Sequence, residues 1–214
     1  MDYERLYEYR FRDVDQRTRE AVWRPIAAFV HDQLGRPARV LDPAAGRCEF
    51  INAVAAEERW AVDRMSFPEG VARPGTRMVV GDVMQVELPD SHFDGVFVSN
   101  FLEHLPSADA VAGFLARMRD AMEPGARIAV MGPNYRHCAR EYWDCADHTL
   151  ALTDVAIEEH LYAAGLPPRR SIPRFLPYSF RGRLPASERL TRAYLGAPPL
   201  WRVLGKQFLV IAER

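Results

Sequence analysis

The segment RVLDPAAGRCEFINAVAAEERWAVD, residues 39–63, restricts the fold more than any other stretch of the chain. An apolar run ends in Asp42, a turn of small residues follows, a helix opens near Cys48, and a second short run ends in Asp63. Strand, turn, helix and strand in this order make a crossover unit of a parallel sheet. In doubly wound α/β folds such turns lie beyond the carboxyl ends of the strands, where ligands bind and helix N-termini approach them.

The same alternation continues on both sides. Val22, Ile26, Phe29, Val30 and Leu34 recur at three- and four-residue steps, which predicts a helix from Asp15 to Leu34, ended by Gly35. Strands are expected at Arg39–Asp42, Trp60–Asp63, Thr76–Val80, Asp94–Ser99 and Arg127–Met131, with the first crossover helix at Cys48–Ala56. Ser107 is placed to cap a helix carrying Val111, Phe114, Leu115, Met118 and Met122 on one face, with Glu123-Pro124-Gly125 as its stop. A further helix fits Thr153–Ala164, and strands are expected at Ser171–Pro177 and Lys206–Ala212. Residues 1–13 show no clear period. Short strands between helices argue for a mainly parallel sheet covered on both faces.

The 214 residues fit one domain, with a helical N-terminal segment over 1–35. The Pro- and Arg-rich stretch 178–204 interrupts the alternation and is expected to be a substrate lid. A net charge of -1 gives no support to broad attraction toward nucleic acid or anionic membrane. Cys48, Cys138 and Cys145 do not pair evenly and lack a zinc-type CxxC spacing, so no metal is expected. The polar N-terminal segment and the lack of a membrane-length apolar run make a cytoplasmic protein the expectation, as a monomer or homodimer.

Asp42 and Asp63 alone would also suit a nicotinamide enzyme. However, the turn PAAGRCEF has one glycine and no GxGxxG, so a pyrophosphate is a poor fit. A carboxylate at the second strand end suits a ribose diol because it accepts both hydroxyl protons. Asp82 closes the third strand region in MVVGDVM, where its carboxylate would accept a proton from an adenine amino group, with Val83 or Met84 covering the ring. Three acids, each after its own strand, suit an adenosine without phosphates.

At this point the chain resembles a class I S-adenosylmethionine-dependent methyltransferase, of the small-molecule branch close to the type 11 group. VLDPAAGRCEF resembles the family's first motif, VFVSNFLEHL its fourth-strand motif, and MEPGARIAVMGPN its pre-strand turn and fifth strand. The resemblance implies S-adenosyl-L-methionine as cofactor and a Rossmann-like, seven-stranded sheet whose last strand is antiparallel. It places Asp42, Ala44 and Gly46 around the methionine part, Asp63 and the adjoining Arg64 at the ribose, Asp82 and Val83 at adenine, and Asn100 and Phe101 beside the sulfonium. Two glycines usual in the first motif are Ala44 and Cys48 here, each adding a Cβ where backbone approach is close. Cys48 itself reads as a buried small side chain rather than a nucleophile.

The cofactor supplies the leaving group, so the protein chiefly aligns donor and acceptor and provides a base where the acceptor is a hydroxyl or protonated amine. His104 follows the fourth strand on the expected side. Asp147 and His148, after the fifth strand, are a candidate carboxylate–imidazole pair, with Tyr135, Tyr142 and Trp143 as pocket walls. Arg136, Arg140, Arg181 and Arg183 are candidates for holding an acidic substrate, while His31, His92 and His160 are expected to lie away from the site. The expected activity is methylation of a small-molecule acceptor, at oxygen, in specialised metabolism. N- or C-methylation, a non-catalytic cofactor-binding subunit and an NAD-dependent oxidoreductase are the alternatives, and no nucleic-acid or membrane partner is expected.

Overall fold

In the computed structural model, which describes residues 2–12, 15–65, 71–178 and 187–214, helices and strands alternate. They are α1 (Tyr3–Phe11), α2 (Gln16–Gln33), β1 (Arg39–Asp42), α3 (Glu49–Ala53), β2 (Glu58–Asp63), β3 (Thr76–Val80) and β4 (Phe93–Ser99). A 3-10 turn (Leu102–His104), α4 (Ala108–Ala121), β5 (Met122–Pro133), α5 (Tyr135–Tyr142) and α6 (Asp154–Ala163) follow. The chain ends with β6 (Pro168–Ile172), α7 (Glu188–Leu195), α8 (Pro198–Leu204) and β7 (Gln207–Glu213).

The strands form one seven-stranded sheet in the order β3-β2-β1-β4-β5-β7-β6. Neighbours from β3 to β5 are parallel, and β7 runs antiparallel to both β5 and β6. The first four strands therefore end on a common edge, and Asp42, Asp63, Asp82 and Asn100 all lie along it. Side chains alternate between the sheet faces. Leu41, Val62, Val96, Val98, Ile128, Val130, Phe208 and Val210 pack under α4 and α6. Val40, Ala61, Phe97, Ala129, Met131, Leu209 and Ile211 pack under α2, α3, α7 and α8. Burial on both faces explains why these strands read as apolar runs without polar alternation. No described helix is long and apolar enough to cross a membrane.

Asp15, Ser107 and Thr153 cap α2, α4 and α6, accepting the amides of Thr18, Ala110 and Ala156. Several expectations shift. The Glu123-Pro124-Gly125 turn lies inside β5, which starts at Met122 opposite Phe93 and returns to register at Gly95 and Arg127; a bulge absorbs the residues between. β6 covers Pro168–Ile172 instead of 171–177, because Pro173 has no N–H to extend the ladder. The first crossover helix is only Glu49–Ala53, and residues 1–13 include α1, capped by Asp2. Within 178–204, residues 187–204 form α7 and α8, whose Leu195 and Trp201 are buried with Phe29 and Phe175 against α2. Phe180, Arg181, Arg183 and Pro185 lie outside the described residues.

Candidate cofactor and acceptor site

The turn after β1 is tied to the end of β2. Asp63 accepts the Gly46 amide on one oxygen at 2.7 Å and the Met65 amide on the other at 2.9 Å. Gly46 has φ +51, and a Cβ built on it would meet nothing within 4 Å. The surface of the turn is thus open where a ligand would lie. Cys48 also has positive φ, 61°, but its side chain is buried, and burial pushes the thiol pKa up to about 12. The extra Cβ expected to crowd the turn points into the core there, and the thiol is not a nucleophile. Ala44 is half-buried beside it.

Asp42 is 2% exposed, and its Oδ1 has no hydrogen-bond partner among the described residues. Burial holds its pKa well above the usual carboxylate range, and the charges of Asp63 and Glu49 raise it further, against the Ala44 amide. A buried carboxylate oxygen without a partner is costly, and Asp42 ends β1 at the edge where the amino-acid end of a cofactor would bring a cationic amino group. Burial also raises Asp63, against its amide bonds and Arg64. Arg64 reaches Asp82 at 3.4 Å, and Asp82 accepts the Met84 amide at 2.9 Å, so the β2 and β3 ends are bridged. The Val83 side chain is buried in the core, and Met84 is exposed beside it. The orphaned Asp42 oxygen, the open Gly46 turn and the residual lone pairs of Asp63 fit an S-adenosyl-L-methionine molecule without phosphates.

Beyond β4, Asn100 adopts φ 48° and donates its amide to the Met131 carbonyl at 2.9 Å; the Phe101 ring packs on Phe114. The next residues form the 3-10 turn carrying Glu103 and His104. The loop after α5 is stitched onto this turn: the Glu103 carbonyl accepts the Thr149 amide at 2.8 Å and the Leu150 amide at 3.2 Å. His104 and His148 meet as a result, with ring centroids 5.0 Å apart.

Asp147 does not pair with His148. Its carbonyl lies 3.0 Å and its carboxylate 3.4 Å from His104 Nδ1, and the carboxylate forms an ion pair with Arg10 of α1. Burial pushes Asp147 up, but the Arg10 hydrogen bond and His104 outweigh it and leave its pKa lowered. His148 packs on Tyr142 with centroids 4.6 Å apart, and its Nδ1 is buried with no partner among the described residues. Burial first, then His104, pushes its pKa down to about 4, so the ring is neutral at physiological pH. Glu103 is 3% exposed, and burial raises its pKa.

The three aromatic residues expected as walls stack edge-to-face on one another. Tyr142 is fully buried and its hydroxyl donates to the Leu150 carbonyl at 2.5 Å, while Trp143 is half-exposed. Arg136 lies 3.8 Å from Asp154 and Arg140 is exposed. His92 pairs with Glu58 at 3.0 Å at the opposite edge of the sheet. His31 contacts the Pro37 carbonyl, and His160 lies on α6. Glu103 and Arg10 were not legible as site residues: both depend on contacts between distant segments. The one local hint was the LEHL run carrying Glu103 directly before His104.

The strand order is that of the class I S-adenosylmethionine-dependent methyltransferase fold, and the domain and fold matches that follow support an S-adenosylmethionine-dependent methyltransferase with S-adenosyl-L-methionine as cofactor. Residues 35–130 match the methyltransferase domain family. An S-adenosylmethionine-dependent methyltransferase from Archaeoglobus fulgidus is similar over 100% of both chains, with TM-score 0.69 and 20% identity. The 1,6-didemethyltoxoflavin-N1-methyltransferase of Burkholderia thailandensis, solved with 1,6-didemethyltoxoflavin and S-adenosylhomocysteine, is similar over 100% of this chain and 89% of its own, with TM-score 0.62 and 24% identity. A methyltransferase from Mesorhizobium loti aligns over 89% of this chain and 96% of its own, with TM-score 0.61 and 14% identity. No curated protein sequence matches the chain.

Proposed function

We propose that the chain methylates a hydroxyl oxygen of a small molecule of specialised metabolism. The observation that carries this reading is the neutral His148, whose buried Nδ1 has no partner among the described residues, packed against His104 of the 3-10 turn that follows β4. S-adenosyl-L-methionine, when bound, supplies a sulfonium methyl group and leaves as a neutral thioether. Asp42, Ala44 and Gly46 would hold its amino-acid end and Asp63 with Arg64 the ribose. Asp82 and Val83 would meet the adenine, and Asn100 and Phe101 would flank the sulfur. His148 would take the acceptor's hydroxyl proton as the oxygen turns nucleophilic, with His104 and Asp147 positioning the ring. The small ligand of the Burkholderia protein supports an acceptor of modest size. Three free cysteines accord with a reducing, cytoplasmic setting.

Calorimetry with S-adenosylmethionine and S-adenosylhomocysteine comes first; a folded chain that binds neither ends the cofactor assignment. Methyl release is then followed against phenols, sugars and amines, with products identified by mass. Oxygen-methylated products are expected, and amine-only products would move the acceptor atom to nitrogen. His148→Ala is expected to slow transfer about 100- to 10,000-fold, the scale of general-base loss, with cofactor affinity unchanged.

A further inference from the structure

Glu103, His104 and His148 present one potential ligand atom each, all within 4.8 Å of one another. The tautomer of His104 follows from its neighbours. Nδ1 faces the Asp147 carbonyl at 3.0 Å and carboxylate at 3.4 Å, and neither oxygen can donate. Nδ1 therefore donates, which leaves Nε2, 4.0 Å from Glu103 Oε1, as the ring nitrogen turned toward the cluster. His148 adds a third acceptor, its buried and unpartnered Nδ1.

Two surrounding features bear on this group. An imidazole whose second nitrogen donates to a main-chain carbonyl is the outer-shell arrangement typical of metal-ligating histidines, because it fixes both tautomer and ring orientation. The Arg10 guanidinium pairs with the Asp147 carboxylate. The inner group is then one buried carboxylate and two imidazoles, a donor set matched to divalent ions of borderline softness.

We propose that Glu103, His104 and His148 bind a divalent first-row transition-metal ion at the carboxyl edge between β4 and β5. Bonds of about 2.0–2.2 Å in a tetrahedral site put ligand atoms about 3.4 Å apart, so these must draw together by up to about 1.4 Å, within the reach of side-chain rotation. Three protein ligands leave a coordination position open. Its role in the reaction rests on the proposed function: an acceptor hydroxyl at that position ionises at lower pH, its proton leaving to bulk water. The ion then lowers the cost of the acceptor's proton, which His148 would otherwise take directly.

The test uses the full chain, stripped of metal by chelation and titrated with Co²⁺. One equivalent is expected to bind with visible d–d absorption and to be displaced by Zn²⁺. Glu103→Gln and His148→Ala are each expected to weaken binding tenfold or more, and His160→Ala, on α6, to leave it unchanged. Circular dichroism reports whether each variant folds; if Glu103→Gln does not, the unsubstituted chain and His148→Ala decide. Uptake no greater than the buffer blank, or uptake indifferent to His148→Ala, overturns the site. Calorimetry of the stripped chain with S-adenosylmethionine separates the two readings. Cofactor binding without Co²⁺ binding removes the metal and leaves the methyltransferase reading standing. Co²⁺ binding without cofactor binding does the reverse.

Discussion

The Asp63 carboxylate accepts the Gly46 main-chain N–H at 2.7 Å, which locks the turn after the first strand to the end of the second. One side chain thus shapes the turn and still has lone pairs for a ligand diol. Asp63→Ala removes both roles and is expected to weaken S-adenosylmethionine binding by about 1–3 kcal/mol, the scale of a charge-assisted hydrogen bond. Asp63→Asn keeps an oxygen for the Gly46 amide, so it is expected to retain the turn and lose less. Calorimetry on both variants checks this; equal losses would assign the whole effect to the carboxylate's contact with the ligand and none to the turn.

Asp42 sets stability against binding. Its folded pKa is well above the ordinary aspartate value of 3.8, so ionisation is disfavoured in the folded state. The folded chain binds more protons than the unfolded one above that value, and stability therefore falls as pH rises through the window up to the raised pKa. Asp42→Asn is expected to raise the ligand-free Tm at neutral pH, by about 1–3 kcal/mol in stability, with no gain at pH 3. The same variant should bind S-adenosylmethionine more weakly. Melting curves at several pH values decide it, and a gain independent of pH would rule out the carboxylate as its origin.

Arg10 reaches Asp147 across 137 positions of sequence and joins α1 to the His104 cluster. Arg10→Met is expected to lower methyl-transfer efficiency while cofactor affinity stays constant, because its ion pair is with Asp147 beside His104 and not with the Asp42–Asp63 turn. A double-mutant cycle with Asp147→Asn should give a coupling of roughly 0.5–3 kcal/mol. Additive effects would mean that the ion pair couples nothing.

Tyr142 is fully buried, and its hydroxyl both donates to the Leu150 carbonyl and accepts the Leu152 amide at 3.2 Å. Tyr142→Phe leaves both main-chain groups unpaired and is expected to cost about 1–3 kcal/mol of stability. Hydrogen exchange should quicken in residues 145–152 and not in β1 or β2. Unchanged exchange in that loop would contradict the anchoring role.

Much of the fold was legible because its signals are local. Arg39–Asp42 has the strand limits read from the chain, since a strand buried on both faces is an apolar run ended by turn chemistry, and the edge strand Thr76–Val80 has them because Arg73-Pro74-Gly75 and Gly81 bound it. The Ser107 cap was readable for the same reason: an oxygen beside the first helical turn needs no distant partner. α7 and α8 carry such signals too, Ser187 before Glu188 and Pro198 at a first turn, but the Pro and Arg content of 178–204 masked them. β5 was misread at its start, because only pairing with Phe93 and Gly95 turns Glu123-Pro124-Gly125 into a bulge.

By itself, then, the order of residues determined the strand-end acids Asp42, Asp63 and Asp82 and the edge they share, because parallel crossovers bring successive strand ends to one side. Tertiary structure alone decided what stands opposite that edge. Asp147 could have paired with its neighbour His148; it turned instead to His104 and Arg10, because hydrogen bonds from residues 149 and 150 to the Glu103 carbonyl set the loop against the 3-10 turn. The acidity of a side chain likewise depends on what surrounds it: burial raises Asp42 and lowers His148, and burial arises only when the chain has closed around them.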